Sequence, residues 1–173
     1  MKVHTTHTYP ATPERVVEVM TDPDTLRDKY TALGHRDVRF VEHAVRADGG
    51  MTVRSKRGVP MDVPGFAKRF LSPVNTVEQH DEWDPPAADG SRTGTWKVSA
   101  TGVPVRVGGD LSVRPDGHGA TMVEMSGEVG CSIPIVGGKL AAFVGADIVR
   151  TMNAEEQYND TALNRGPTKR RAP

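Results

Sequence analysis

The stretch Ile133-Pro134-Ile135-Val136-Gly137-Gly138-Lys139-Leu140, continuing through Ala-Ala-Phe-Val-Gly-Ala-Asp-Ile-Val-Arg to about position 163, constrains this chain more than any other. Its periodicity predicts one long helix over 133–163. On a helical wheel Val136, Leu140, Phe143, Val144, Ile148 and Thr151 form a broad stripe, and Gly138, Ala141, Ala142, Gly145 and Ala146 form a second stripe of small residues. Lys139, Arg150, Asn153 and Gln157 occupy a narrow polar strip. A helix apolar round most of its circumference must be embraced by other elements, and what embraces it decides what the protein can hold. The run falls short of the roughly 20 apolar residues that a membrane crossing needs, and Lys139 and Asp147 interrupt it.

The segments before it supply a sheet. Lys2 to Tyr9 alternates, with Val3, Thr5, His7 and Tyr9 on one side, and predicts a strand ended by Pro10. Thr12-Pro13-Glu14 and Asp22-Pro23-Asp24 each place a capping side chain before a proline at the first helical position. Two short helices follow, the second closed by Gly34. From His35 the period switches to two, and Gly, Pro and Asp turns separate alternating runs at 37–46, 50–57, 75–83, 92–101, 105–114 and 120–131. One insertion, 64–71, brings Phe66, Phe70 and Leu71 together at helical spacing and predicts one or two helical turns with an aromatic face.

The predicted order is strand, two helices, six strands and a long helix: an α+β chain whose curved antiparallel sheet of about seven strands wraps the C-terminal helix. Its length suits a single domain over 1–164, followed by a disordered basic tail over 165–173. Basic and acidic side chains balance at 22 each, which leaves no electrostatic footprint for nucleic acid. The single cysteine, Cys131, excludes an intrachain disulfide, and the first residues lack the apolar core of a signal peptide, so the expectation is a cytoplasmic protein. Arginine outnumbers lysine among many Gly, Ala and Val, as in GC-rich bacterial genomes.

This order, with Tyr-Pro-Ala-Thr-Pro-Glu-Arg-Val near the start and Ile-Pro-Ile-Val-Gly-Gly-Lys-Leu before the last helix, resembles the START-like superfamily (SRPBCC: polyketide cyclase, Bet v 1-like) over nearly the whole chain to about Asn164. Within it, Val63-Pro64-Gly65-Phe66-Ala67-Lys68-Arg69-Phe70-Leu71, leading to a strand that ends in Glu82-Trp83, is similar to an actinobacterial branch of unknown function (DUF2505-like). The resemblance implies a helix-grip fold with a hydrophobic cavity between sheet and helix. Members use such cavities for lipids, sterols, polyketides, hormones or quinones, so the fold does not settle the function. No motif carries a catalytic residue across.

Three strands show an apolar face: Trp96, Val98 and Ala100; Val105, Val107, Leu111 and Val113; and Val123, Met125, Val129 and Cys131. With Phe40, Met51 and Val53 they line either a ligand pocket or a filled core, closed by Leu140, Phe143, Val144 and Ile148, with Phe66 and Phe70 as lid or mouth. Gly94, Gly108, Gly109 and Gly127 lie within strands and fit close approach to a cavity or bulges equally.

Asp147 lies mid-stripe: either a polar anchor or general base with a raised pKa, or a carboxylate paired with an arginine or turned to the polar edge. His43, Glu78 and His80 sit mid-strand, and parity leaves their direction open, because Glu42 competes with His43, and Gln79 and Asp81 compete with His80, for the inner face. Gly137-Gly138-Lys139 is no phosphate loop, since Ile133 and Leu140 stand where a glycine and a hydroxyl residue are needed. His4 and His7 point to opposite faces, and no metal-ligand spacing occurs, so neither metal nor cofactor is expected.

The leading expectation is non-enzymatic binding of a small hydrophobic molecule such as a fatty acid, isoprenoid, sterol-like or polyketide compound. The alternative is a cyclase- or dehydratase-like enzyme in which Asp147, His43 or His80 moves a proton. The expected partners are the small molecule alone, with no nucleic acid and no integral membrane association, in a monomer or weak homodimer.

Overall fold

The computed structural model describes residues 1–165; positions 166–173, most of the expected basic tail, lie outside the described residues. Strand β1 (Lys2–Tyr9) leads into α1 (Pro13–Thr21) and α2 (Pro23–Ala32). Strands β2 (Arg36–Val45), β3 (Met51–Pro60), β4 (Val74–Trp83), β5 (Arg92–Ala100), β6 (Val105–Pro115) and β7 (Thr121–Cys131) follow, and α3 (Gly137–Asn164) closes the chain. The strands form one antiparallel sheet in the order β1-β7-β6-β5-β4-β3-β2. The meander is thus completed by β1, which returns to the free edge of β7 with Lys2 opposite Glu128 and Tyr9 opposite Thr121.

Local chemistry explains the short helices. Thr12 caps α1 by accepting from Arg15 N, and Asp22 ends α1 and caps α2, accepting from Thr25 N at 2.9 Å and Thr25 Oγ1 at 2.8 Å. Gly34, at φ 80°, ends the second helix in the left-handed region that glycine enters without a Cβ penalty. Val16, Val17 and Val19 of α1 and Leu26 and Tyr30 of α2 are buried, so both helices turn apolar faces inward.

One expectation gives way. The long helix starts at Gly137 instead of 133, because Ile135 sits at φ 70°, a conformation that no helical turn accommodates, while Val136 N donates to Pro134 O. The insertion at 64–71 keeps to the expected one or two turns: a 3-10 turn, Gly65–Ala67, is followed by a second turn in which Phe70 N and Leu71 N both donate to Ala67 O at 2.9 Å. Arg165, expected in the tail, donates its backbone N–H to Thr161 O and ends α3.

The sheet closes tightly where glycines face each other. Trp96 of β5 lies opposite Gly109 of β6, which lies opposite Gly127 of β7. The Trp96 indole runs across this pair and donates from Nε1 to Ser126 O at 3.2 Å. A Cβ on Gly127 would stand 2.7 Å from Trp96 Cζ2, so these glycines make room for a buried tryptophan.

Candidate functional site

Between the inner face of the sheet and α3 lies a cavity of about 160 Å³. Its carbon walls come from Trp96, Val98 and Ala100 of β5, Val105, Val107 and Leu111 of β6, and Val123 and Met125 of β7. Val144, Ile148, Thr151 and Met152 of α3 close it, and Met61, Leu71 and Val103 contribute from the loops. An engineered apolar cavity of about 150 Å³ holds a benzene ring, so this one accommodates a molecule of single-ring size.

The cavity is not lined by carbon alone. Lys29 and Tyr30 from α2, His35 at the start of the meander, Arg57 from β3, Gln79 and Asp81 from β4 and Glu155 from α3 all reach its wall. Lys29 Nζ pairs with Glu155 Oε2 at 3.0 Å. The Arg57 guanidinium lies 3.9 Å from the centroid of the Tyr30 ring. It donates from Nε to His35 Nδ1 at 3.2 Å, from Nη1 to Ser55 Oγ at 3.1 Å and from Nη2 to Gln79 Oε1 at 2.7 Å. Gln79 Nε2 donates in turn to the Asp81 carboxylate at 2.9 and 3.1 Å. Because guanidinium is only a donor, His35 Nδ1 is an acceptor, and the neutral ring carries its proton on Nε2.

Burial and these charges set the protonation states. Desolvation lowers the His35 pKa from 6.5 to about 4, assisted by the charge on Arg57. Desolvation raises Asp81 from 3.8 to about 6, against the Gln79 hydrogen bond and the Arg57 charge. Burial also works to raise Glu155, but the Lys29 ammonium and Arg57 overcome it and hold that carboxyl below its ordinary value. Burial pushes the Tyr30 hydroxyl up. At pH 7 the cluster therefore holds two cations, two carboxylates and a neutral imidazole, near electrical balance.

Further along α3, Asn159 Nδ2 donates to Tyr9 Oη at 3.3 Å, and Asn159 Oδ1 is buried with no hydrogen-bond partner among the described residues. Among the described residues no three His, Cys, Asp or Glu side chains are grouped as metal ligands would be.

Comparison with known proteins places the chain. Residues 4–163 match the family described as Protein of unknown function (DUF2505). The chain belongs to this family. Among curated proteins none matches the sequence. In fold, this DUF2505 chain is similar to TTHA0849 from Thermus thermophilus, with TM-score 0.61, 16% identity, and coverage of 94% of this chain and 99% of that one. It is similar to norcoclaurine synthase from Thalictrum flavum in complex with dopamine and hydroxybenzaldehyde, with TM-score 0.55, 14% identity, and coverage of 98% and 89%. It is also similar to the human StarD13 lipid transfer and protein localization domain, with TM-score 0.54, 14% identity, and coverage of 87% and 75%. The architecture is the helix-grip fold, a curved seven-stranded sheet around a long C-terminal helix.

The DUF2505 structure divides the residues singled out in the sequence. Trp96, Val98, Val107, Leu111, Val123, Met125, Val144 and Ile148 line the cavity. Phe40, Met51, Val53, Phe66, Phe70, Leu140 and Phe143 are not among its lining residues. Phe40 lies under the Arg27 guanidinium of α2, 5.4 Å from ring centroid to Cζ, because α2 packs on the edge strand β2. Met51 borders a separate depression with Val19, Thr21 and His43, and Val53 is buried on the same strand. Leu140 is fully buried in the core, and Phe70 is half-buried beside Arg69. The cavity stripe of α3 passes through 144, 148, 151 and 155, so Phe143 falls on its flank and meets Phe66 edge-on at 6.3 Å.

The acid–base candidates separate in the same way. Asp147 reaches the cavity wall but pairs with Arg150, whose side chain is exposed; burial raises its pKa and Arg150 opposes the shift. His43 is exposed on β2, outside the cavity. His80 shares the outer face of the sheet with Glu78 and Glu82 and contacts Glu82 Oε1 at 2.7 Å. Val77, Gln79, Asp81 and Trp83 take the inner face of β4. That parity was visible as a run with apolar Val77 and Trp83 at its ends, the signal that could have pointed to Gln79 and Asp81. Arg57 carries the same mark, on the parity of Met51, Val53 and Val59 in β3, whereas Lys29 and Glu155 do not, since a charged residue on a helix reads as solvated.

Proposed function

We propose that this protein binds a small, largely apolar molecule in the cavity between the sheet and α3, without transforming it. The observation that carries the proposal is the wall of Trp96, Val98, Val107, Leu111, Met125 and Val144 around a partly open space of about 160 Å³, with a polar cluster of Lys29, Arg57, Gln79, Asp81 and Glu155 at one part of the wall and Asn75, Asp147 and Asn159 elsewhere on it. Unfilled, such a space forgoes packing contacts that a filled core would have. The volume favours a compact molecule over an extended lipid or a sterol. Solved structures of similar fold, one with bound dopamine and hydroxybenzaldehyde and one a lipid transfer domain, support a small-molecule ligand. The balanced charge of 22 basic and 22 acidic residues supports a neutral partner over nucleic acid. Among the described residues no helix is long and apolar enough to cross a membrane. Monomeric or weakly dimeric action in the cytoplasm completes the proposal.

Native mass spectrometry of protein purified from its own host, followed by extraction of retained compounds, tests it. A stoichiometric small molecule is the expected result. Absence of any retained compound, together with no thermal shift across a panel of lipids and aromatic compounds, overturns it.

A second reading, an acid–base enzyme of the cyclase or dehydratase kind, draws on one observation. The Asp81 carboxyl, raised to about 6, stands on the cavity wall with Arg57 and Lys29 in the same cluster. It replaces His43 and His80, which stand outside the cavity, as the candidate base. Deuterium wash-in at the α-carbon of a single-ring aryl ketone, lost in Asp81→Asn, supports that reading, and exchange no faster than in buffer removes it.

A further inference from the structure

The polar end of the cavity has a donor–acceptor balance that selects a ligand group. The Asp81 carboxylate faces the cavity and, among the described residues, takes side-chain hydrogen bonds from the Gln79 amide alone. A carboxylate has room for several more donors, so acceptor capacity is left over at this wall. Asn159 Oδ1, on a residue 4% exposed, is a second acceptor without a partner among the described residues. On the donor side Arg57 uses one N–H each on His35, Ser55 and Gln79 and retains N–H groups beyond these. Lys29, Arg57, Glu155, Asp81 and His35 all meet here from α2, β3, α3, β4 and the loop before β2. Lys29 and Arg57 offset Glu155 and Asp81, and Glu156 on the same wall adds a further carboxylate, so a ligand that brings an anion disturbs the site at a desolvation cost.

The geometry points to recognition of a neutral hydroxyl group on a compact, single-ring body, as in a phenol, with Asp81 accepting from the hydroxyl and Arg57 able to donate to its oxygen. The ring occupies the carbon-walled space beside Trp96, Val107, Met125 and Val144, which has the size for it. Burial raises the Asp81 pKa to about 6 against the Gln79 hydrogen bond and the Arg57 charge, so at pH 7 the carboxylate is mainly an acceptor. A site built to bond a hydroxyl rejects the analogue that lacks it, because its own buried acceptor is then left unpaired. This inference rests on the cavity being a ligand site at all.

Calorimetric titration at pH 7 of ethylbenzene, 4-ethylphenol, 4-ethylanisole and 4-ethylbenzoate into the wild-type protein, Asp81→Ala and Asp81→Asn separates the two claims. The expected result is that 4-ethylphenol binds the wild type about tenfold or more tightly than ethylbenzene or 4-ethylanisole. In both variants that advantage falls to roughly threefold or less while ethylbenzene affinity is retained. Equal affinity for 4-ethylphenol and ethylbenzene, tightest binding of 4-ethylbenzoate, or an undiminished advantage in both variants overturns hydroxyl recognition and leaves the apolar cavity standing. Failure of every probe, ethylbenzene included, overturns the cavity as a ligand site.

Discussion

Lys29 Nζ lies 3.0 Å from Glu155 Oε2, with the Lys29 side chain 4% exposed and that of Glu155 20% exposed. The pair ties α2 to the C-terminal half of α3 across the end of the cavity. Lys29→Met leaves a buried carboxylate without its main partner and lowers stability by about 3 kcal/mol. Lys29→Met combined with Glu155→Met removes both charges and recovers most of the loss. Urea unfolding of the wild type and the two variants measures this, and a neutral Lys29→Met single variant contradicts it.

Asp81 and His35 act in opposite directions on stability below neutral pH. Between 3.8 and about 6 the folded protein holds a proton on Asp81 that the unfolded chain does not, so this group's contribution falls as pH rises. Between about 4 and 6.5 the unfolded chain holds a proton on His35 that the folded protein does not, so that contribution rises with pH. The two offset each other in the wild type. Asp81→Asn therefore gains stability relative to the wild type on going from pH 4 to pH 7, by about 1–3 kcal/mol. His35→Gln loses stability relative to it over the same range. Urea midpoints at several pH values read both slopes, and parallel profiles in wild type and variants contradict the assignment.

Gly127→Ala drives a methyl group toward Trp96 Cζ2, 2.7 Å away, and toward Gly108 O at 2.6 Å. Backbone cannot yield as a flexible side chain does, so the indole must move or the strands must part. The expected cost is about 1–3 kcal/mol. The near-UV circular dichroism of the buried tryptophans changes with it. An unchanged spectrum and an unchanged unfolding midpoint contradict the role given to this glycine.

The legible and the illegible parts of this fold differ by physical cause. The elements were legible because caps such as Thr12 and Asp22, the turn at Gly34 and the alternation of β5 to β7 are local signals. The inner faces of β5, β6 and β7 were legible too, since Trp96, Val107 and Val123 alternate with polar neighbours. The rotation of α3 was legible only to within one residue. Val144 and Phe143 are consecutive in sequence and about 100° apart on the wheel, at two edges of one broad stripe, and whether Phe143 faces the cavity or Phe66 depends on how the 64–71 insertion folds over the helix. The polar cluster as a unit was not legible: parity on β3 and β4 places Arg57 and Asp81 on inner faces, but Lys29 and Glu155 come from two other elements and each alone looks like a solvated charge. Their burial follows from mutual pairing, which only the tertiary structure creates.

Calorimetric titration of ethylbenzene into the wild-type protein and into Val144→Phe bears most directly on the claim that the space between sheet and α3 holds a ligand. Val144 lines that space, and a phenyl ring there fills much of a cavity of about 160 Å³, whereas Phe143→Ala alters a side chain that is not among the lining residues. Saturable one-site binding in the wild type and in Phe143→Ala, weakened about tenfold or more in Val144→Phe, is the predicted result. No binding to the wild type, or equal binding to wild type and Val144→Phe, contradicts the claim.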